Sequence, residues 1–155
     1  MKFIDEVKIK IVSGHGGPGA STFRREKHVP FGGPDGGDGG LGGSVYFEAH
    51  EGFNTLIHFR GKKVFQAEDG GKGMGRTMNG TDGEDLVLKV PPGTLVKDAK
   101  TGEILADMTT HGNKILVAKG GKGGWGNMNF KTSTNQAPRH SQSGLPGVEL
   151  ELELE

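Results

Sequence analysis

The sequence predicts a mainly β domain whose second layer is a bundle of left-handed polyproline II helices in place of α-helices. Three observations carry this. Residues 32–43 read GGPDGGDGGLGG, with glycine at 33, 36, 39 and 42 and again at 37, 40 and 43. That period of three fits neither a helix nor a strand, but it is the repeat of polyproline II, whose bare edges let neighbouring chains approach. Elsewhere, short alternating segments are bounded by Gly and Pro, as in a β-barrel or sandwich. No segment shows an apolar stripe at helical spacing. The expected plan is one domain over 1–155, with strands interrupted by glycine-rich excursions at 14–43, 70–83 and 120–147 that return to the same sheet.

Each element has its own justification. Residues 3–12 alternate, with Val7, Ile9 and Ile11 opposed to Glu6, Lys8 and Lys10, which predicts a half-buried strand. Residues 44–49 set Val45 and Phe47 against Tyr46 and Glu48. Residues 55–59 and 63–67 read as two further short strands. Residues 85–90 alternate and stop at Pro91-Pro92-Gly93, a turn signal. Residues 94–98 and 103–107 flank Ala99-Lys100-Thr101-Gly102, a hairpin loop. Residues 114–118 lead into the third excursion. Residues 149–154 alternate Glu with Leu and are still doing so where the chain stops, which predicts a fragment of a longer protein.

Composition narrows the function classes. The 30 glycines are the anomaly among 155 residues, since a usual share is about 7%. Their periodicity, interleaved with patterned apolar segments, argues for order over low complexity. There is no cysteine, hence no disulfide and no thiolate metal site. No apolar run approaches a membrane span, so a soluble, cytoplasmic protein is expected. The 19 basic and 19 acidic residues cancel, yet 119–148 contains no Asp or Glu, so the zero total hides a basic stretch.

Catalytic motifs fail one by one. G-x-G-x-x-G occurs at 14–19, at 37–42 and at 121–126, and three hits without a following amphipathic helix reflect composition, not a dinucleotide site. Gly61-Lys62, Gly71-Lys72 and Gly121-Lys122 lack the Ser or Thr of a P-loop. Asp35 and Asp38 share the spacing of paired carboxylates, but accepting backbone N–H bonds from neighbouring chains is their expected role. The six histidines form no metal-ligand pairs, and no G-x-S-x-G is present. The basic residues are the better lead. Arg24, Arg25 and Lys27 lie in the first excursion, Lys72 and Arg76 in the second, and Lys131 and Arg139 in the third. Excursions leaving one end of a sheet would converge these charges on a single surface able to neutralise phosphates. A solvated rim of charges fits the same pattern.

Phe23-Arg24-Arg25-Glu26-Lys27 followed by GGPDGGDGG resembles the N-terminal glycine-rich domain of the Obg GTPases. So do the opening MKFIDE, Asn54-Thr55-Leu56-Ile57, Gly83-Glu84-Asp85, Val90-Pro91, Gly93-Thr94, Val117-Ala118-Lys119-Gly120-Gly121, Gly126-Asn127 and Phe130-Lys131. The resemblance runs in order over essentially the whole chain. It implies an eight-stranded β-barrel-like scaffold carrying about six polyproline II helices. It also implies a GTPase domain downstream, absent from this chain, that would hold GTP and Mg²⁺; no cofactor is expected in these residues. The resemblance further implies docking on the large ribosomal subunit and its RNA in late assembly, with a link to stress signalling. The loops would be inserted toward the peptidyl-transferase region. Arg24, Arg25, Lys27, Arg76, Lys131 and Arg139 match the family's loops. The sequence departs from the family at Phe31, at Thr81-Asp82, at Gln136 and at Leu41, and the first three of these remove or reverse positive charge at presumed loop tips.

The expected function is therefore a non-catalytic, large-subunit-docking domain of an Obg-type GTPase. The alternative is a structural or protein-interaction module that positions the GTPase domain without touching RNA. Gly36, Gly39 and Gly80 are expected to be structural, sitting where chains touch or where φ is positive.

Overall fold

The computed structural model describes residues 6–23, 32–52, 56, 59, 61, 63–109, 112–132 and 135–155. Eight strands lie among them: β1 (Val7–Val12), β2 (Val45–Ala49), β3 (Val64–Gln66), β4 (Leu86–Val90), β5 (Thr94–Asp98), β6 (Ile104–Met108), β7 (Lys114–Ala118) and β8 (Glu149–Leu154). They form a five-stranded sheet in the order β3-β1-β8-β5-β6 and a three-stranded sheet in the order β4-β2-β7. Among the described residues no ladder joins the two sheets into the expected barrel. The strand at 55–59 is also corrected. Only Leu56 and Phe59 of it are described, and the Phe59 N–H donates to the Leu56 carbonyl at 3.0 Å, a turn closure.

Alternation sets the core as the sequence foretold. Val7, Ile9 and Ile11 of β1 point inward, as do Val45 and Phe47 of β2. Leu152 and Leu154 of β8 join them, and the buried residues of both sheets make one cluster. Burying each large side chain contributes about 1.5–3 kcal/mol. Lys10 on the outer face of β1 pairs with Glu149 of β8 at 2.5 Å. That hydrogen bond and charge hold the Glu149 carboxyl below its ordinary value and the Lys10 ammonium above its own. Turn chemistry also matches. Gly93 (φ +92°) follows Pro91-Pro92, and Gly102 (φ +77°) closes the β5–β6 hairpin, both being backbone states that suit glycine.

The excursions do not return to the sheet they left. The first runs from β1 to β2, the second from β3 to β4 and the third from β7 to β8, so each crosses between the sheets. Three excursions give six limbs, at residues 13–22, 35–44, 67–74, 77–85, 119–127 and 141–148. The first, third and sixth limbs prolong β1, β3 and β8, and the second, fourth and fifth prolong β2, β4 and β7. Strand neighbours stay neighbours. Because β1 runs parallel to β3, Ala67, Gly70 and Gly73 donate N–H bonds in ascending order to Val12, His15 and Pro18. Because β1 runs antiparallel to β8, Ser13, Gly16 and Gly19 donate in descending order to Val148, Leu145 and Gln142. Across the layer, Gly14, Gly17 and Ala20 bond Gly43, Gly40 and Gly37. Every ladder advances three residues at a time.

This packing explains the glycines. A Cβ on Gly36 would be driven into the Ala20 carbonyl oxygen, one on Gly39 into that of Gly17, and one on Gly80 into that of Gly71. None of the three has positive φ, so close approach alone requires glycine there.

Candidate nucleic-acid interface

The far end of the bundle is assembled by a few polar side chains. Asn127 opens the 3₁₀ helix Asn127–Phe130 and is fully buried. Its Oδ1 accepts the Gly36 N–H at 2.9 Å, taking the place of the next carbonyl in that ladder. Its Nδ2 donates to the Thr22 carbonyl at 2.8 Å and to the Pro138 carbonyl at 3.1 Å. One amide therefore joins both limbs of the first excursion to the segment that connects the limbs of the third.

Asp35 secures the second excursion to the same place. Its Oδ1 accepts the Thr22 hydroxyl at 2.7 Å and its Oδ2 the Arg76 N–H at 3.0 Å, while its carbonyl accepts the Thr77 N–H at 2.7 Å. Arg76 and Thr77 form the centre of a turn closed by the Met78 N–H on the Gly75 carbonyl, with φ of +59° and +58°. Consecutive left-handed residues without glycine cost energy, and Asp35 supplies the bonds that hold them. Asp38 accepts the Gly126 N–H at 2.9 Å and the Asn129 Nδ2 at 2.6 Å. Both carboxylates thus serve as acceptors for neighbouring chains, as their spacing among glycines suggested.

The predicted basic residues distribute unevenly. Arg24, Arg25 and Lys27 lie outside the described residues, as does Phe31. Arg76 sits at the tip of the turn bonded to Asp35. Lys131 follows the 3₁₀ helix, with its Nζ 3.8 Å from where a Gly33 Cβ would stand. Arg139 follows Pro138, the Asn127 partner. These three are exposed and share the far end. Lys72 is exposed too, but lies along the third limb between Gly71, bonded to Thr81, and Gly73, bonded to Pro18. Asp82 is a correction. It is not at a tip: its Oδ1 accepts the Leu41 N–H at 2.9 Å, between matching bonds from Asp38 to Asn79 and from Ser44 to Asp85, all three at a separation of 41 residues.

Sequence reasoning missed an aromatic row at this end. Trp125 lies 6.0 Å from Phe130 between ring centres, and Phe130 lies 4.3 Å from His140. The available signal was a lone tryptophan, half exposed, inside a run of glycine. Beside it runs a groove of about 590 Å³ lined by Lys122, Trp125, Gln142 and Leu145, among others.

The residues present do not fit GTP–Mg²⁺. The sequence has no P-loop, the carboxylates of Asp35 and Asp38 are engaged as described, and among the described residues no cluster of His, Asp and Glu could hold a metal ion. Nor is any helix among them long and apolar enough to cross a membrane.

Comparison with known proteins gives the remaining observation. Residues 4–155 match the family model described as GTP1/OBG. The chain is 57% identical over 155 residues to the protein named GTPase Obg of Anaeromyxobacter dehalogenans (strain 2CP-C), covering 100% of this chain and 44% of that protein. It is 57% identical over 153 residues to the GTPase Obg of Desulforamulus reducens, covering 99% of this chain and 36% of that protein. The chain spans less than half the length of these relatives.

Proposed function

The chain belongs to the GTP1/OBG family, and from that premise we propose that it is the RNA-docking domain of an Obg-type GTPase, binding the large ribosomal subunit in late assembly. It is the GTP1/OBG domain and not the GTPase domain. GTP and Mg²⁺ belong to that other domain, the setting is the cytoplasm, and the role extends to stress-linked growth control.

The observation that carries the reading is the joining of the three excursions at one end of the bundle. Asn127 and Asp35 tie them together, and Arg76, Lys131 and Arg139 project there. Arg24, Arg25 and Lys27, outside the described residues, are assigned to RNA binding from the sequence alone, and Lys72 lies exposed on the third limb. Phosphate contacts of this kind position a protein on RNA without reading sequence. The limbs form the polyproline II bundle. Their period-three ladders support this, as do the dihedrals of Gly126, φ −70° and ψ 163°, which fall in that region. A bundle bonded on several sides holds its limbs in place, so little ordering entropy of the limbs opposes docking.

The test is co-sedimentation with isolated large ribosomal subunits over a salt series. Binding should weaken steeply with salt, and Lys131→Glu or Arg24→Glu should each reduce the slope of log K against log[salt] by about 0.7–0.9. Absence of binding at low salt, with the fold intact, would replace this reading by a module that positions the GTPase domain.

A further inference from the structure

We propose that Trp125, Phe130 and His140 form a stacking platform for unpaired bases of single-stranded RNA; this rests on the RNA-docking reading above and adds base recognition to it. The three rings form a continuous row, with centre separations of 6.0 Å and 4.3 Å and interplanar angles of 57° and 41°. The row is open to solvent at both ends: Trp125 is 52% exposed, and His140 is exposed as well. A tryptophan is on average highly buried, whereas Trp125 is exposed, as is Leu145 of the same groove.

What surrounds the row selects the partner. Lys122 lines the groove with Trp125, Lys131 directly follows Phe130, and Arg139 directly precedes His140. Residues 119–148 carry no Asp or Glu, and the Asp38 carboxylate beside the 3₁₀ helix is bonded to Gly126 and Asn129. Aromatic faces interleaved with cations are the arrangement by which proteins take bases and phosphates together. An apolar protein surface would not match three cations. The groove, about 590 Å³, lies within the roughly 300–1,000 Å³ span of ligand clefts. Gln142 uses its Oε1 to accept the backbone N–H of Trp125 at 3.3 Å. Its amide N–H groups are then what it offers to the acceptor edge of a base.

Trp125 is the sole tryptophan, so its emission reports the platform directly. The chain is titrated with single-stranded oligoadenylate and with an abasic ribose-phosphate oligomer of the same length. Oligoadenylate should quench the tryptophan and bind more tightly than the abasic oligomer. Trp125→Ala should weaken oligoadenylate binding, measured by anisotropy of a labelled oligomer, by about 5- to 100-fold. Trp125→Phe should restore most of it, which excludes misfolding as the cause. Equal, salt-dependent affinity for both oligomers would overturn the platform and leave phosphate docking standing. An unchanged affinity in Trp125→Ala would overturn it likewise. Binding of ribosomal subunits without binding of either oligomer would also refute the platform, whereas failure to bind oligomers and subunits alike would remove the docking reading with it.

Discussion

Replacing Gly39 by alanine adds one methyl group at a crowded level of the bundle. The new Cβ would meet the carbonyl oxygen and carbon of Gly17 and the carbonyl oxygen of Pro18, all closer than 3.0 Å. These are backbone atoms whose chain is itself pinned, because Gly17 donates to Gly40 and accepts from Gly124, so neither side can swing away. Overpacking of this kind costs about 1–3 kcal/mol. Separating the limbs also weakens the Gly39 N–H bond to Gly124, 2.9 Å long, for about another 1 kcal/mol. The total is about 2–4 kcal/mol, or roughly 4–16 °C in melting temperature for a domain of this size. Thermal and urea unfolding followed by circular dichroism measure it. Gly33→Ala is the control, since its nearest neighbour would be the Lys131 Nζ at 3.8 Å. It should leave stability unchanged or raise it by about 0.4–1 kcal/mol through the unfolded chain. Wild-type melting in Gly39→Ala, or equal losses in both variants, would refute the close-packed account.

Two further predictions concern the junction between sheets and bundle. Ser13 is fully buried, and its hydroxyl accepts the Val148 N–H at 2.7 Å while donating to the Lys119 carbonyl at 2.8 Å. Ser13→Ala strands both groups and should cost about 1–3 kcal/mol, read from the urea midpoint; a loss below about 0.5 kcal/mol would mean that water replaces the hydroxyl. Glu149 is held below its ordinary 4.5 by Lys10, so the pair's contribution is present above pH 4.5 and fades as pH falls through the folded value. Lys10 is held above 10.5, so on the alkaline side the contribution is present below that pH and is lost as pH rises through its folded value. A carboxyl titration by NMR should place Glu149 below 4.5, and a midpoint at or above 4.5 would refute the pairing. Both side chains are substantially exposed, so salt should shrink the effect.

Most of the strand plan was legible because alternation reports burial directly. Val7, Ile9 and Ile11 could face only one way, and Pro91-Pro92-Gly93 could end only a strand. The segment at 55–59 deceived because Leu56 and Phe59, both buried, are also placed inward when the Phe59 N–H bonds the Leu56 carbonyl. The connection of the excursions was illegible, since nothing local tells a chain leaving β1 that its return is to another sheet. The period of three announced close packing but not the partners: Gly39 pairs with limbs 22 and 85 residues away in sequence, at Gly17 and Gly124. Asp82 shows the limit of reading charge by position. The resemblance to the family implied a basic residue there, yet the Asp82 carboxylate is one rung in a ladder of acceptors with Asn79 and Asp85. The aromatic row was hidden for a related reason, because Trp125 lies on the fifth limb and His140 far along the segment that follows it.

The ladders explain how a domain so rich in glycine holds six limbs in place. Each ordered glycine forfeits more chain entropy than any other residue, and the limbs bury no apolar side chains comparable with the sheets. Two features offset this. Limb N–H groups are satisfied across the bundle at every third step, and the strand registers continue into the limbs without a break. Val45 opposes Leu86 in the sheet, and Ser44, Leu41 and Asp38 continue at the same separation toward Asp85, Asp82 and Asn79. A slip by one residue in β2 or β4 would therefore turn core side chains outward and misalign the polar rungs as well. The apolar core that fixes the strands thereby fixes the reach of each limb. The position of Arg76, bonded through its backbone to Asp35, follows from Val45 and Leu86 at the other end.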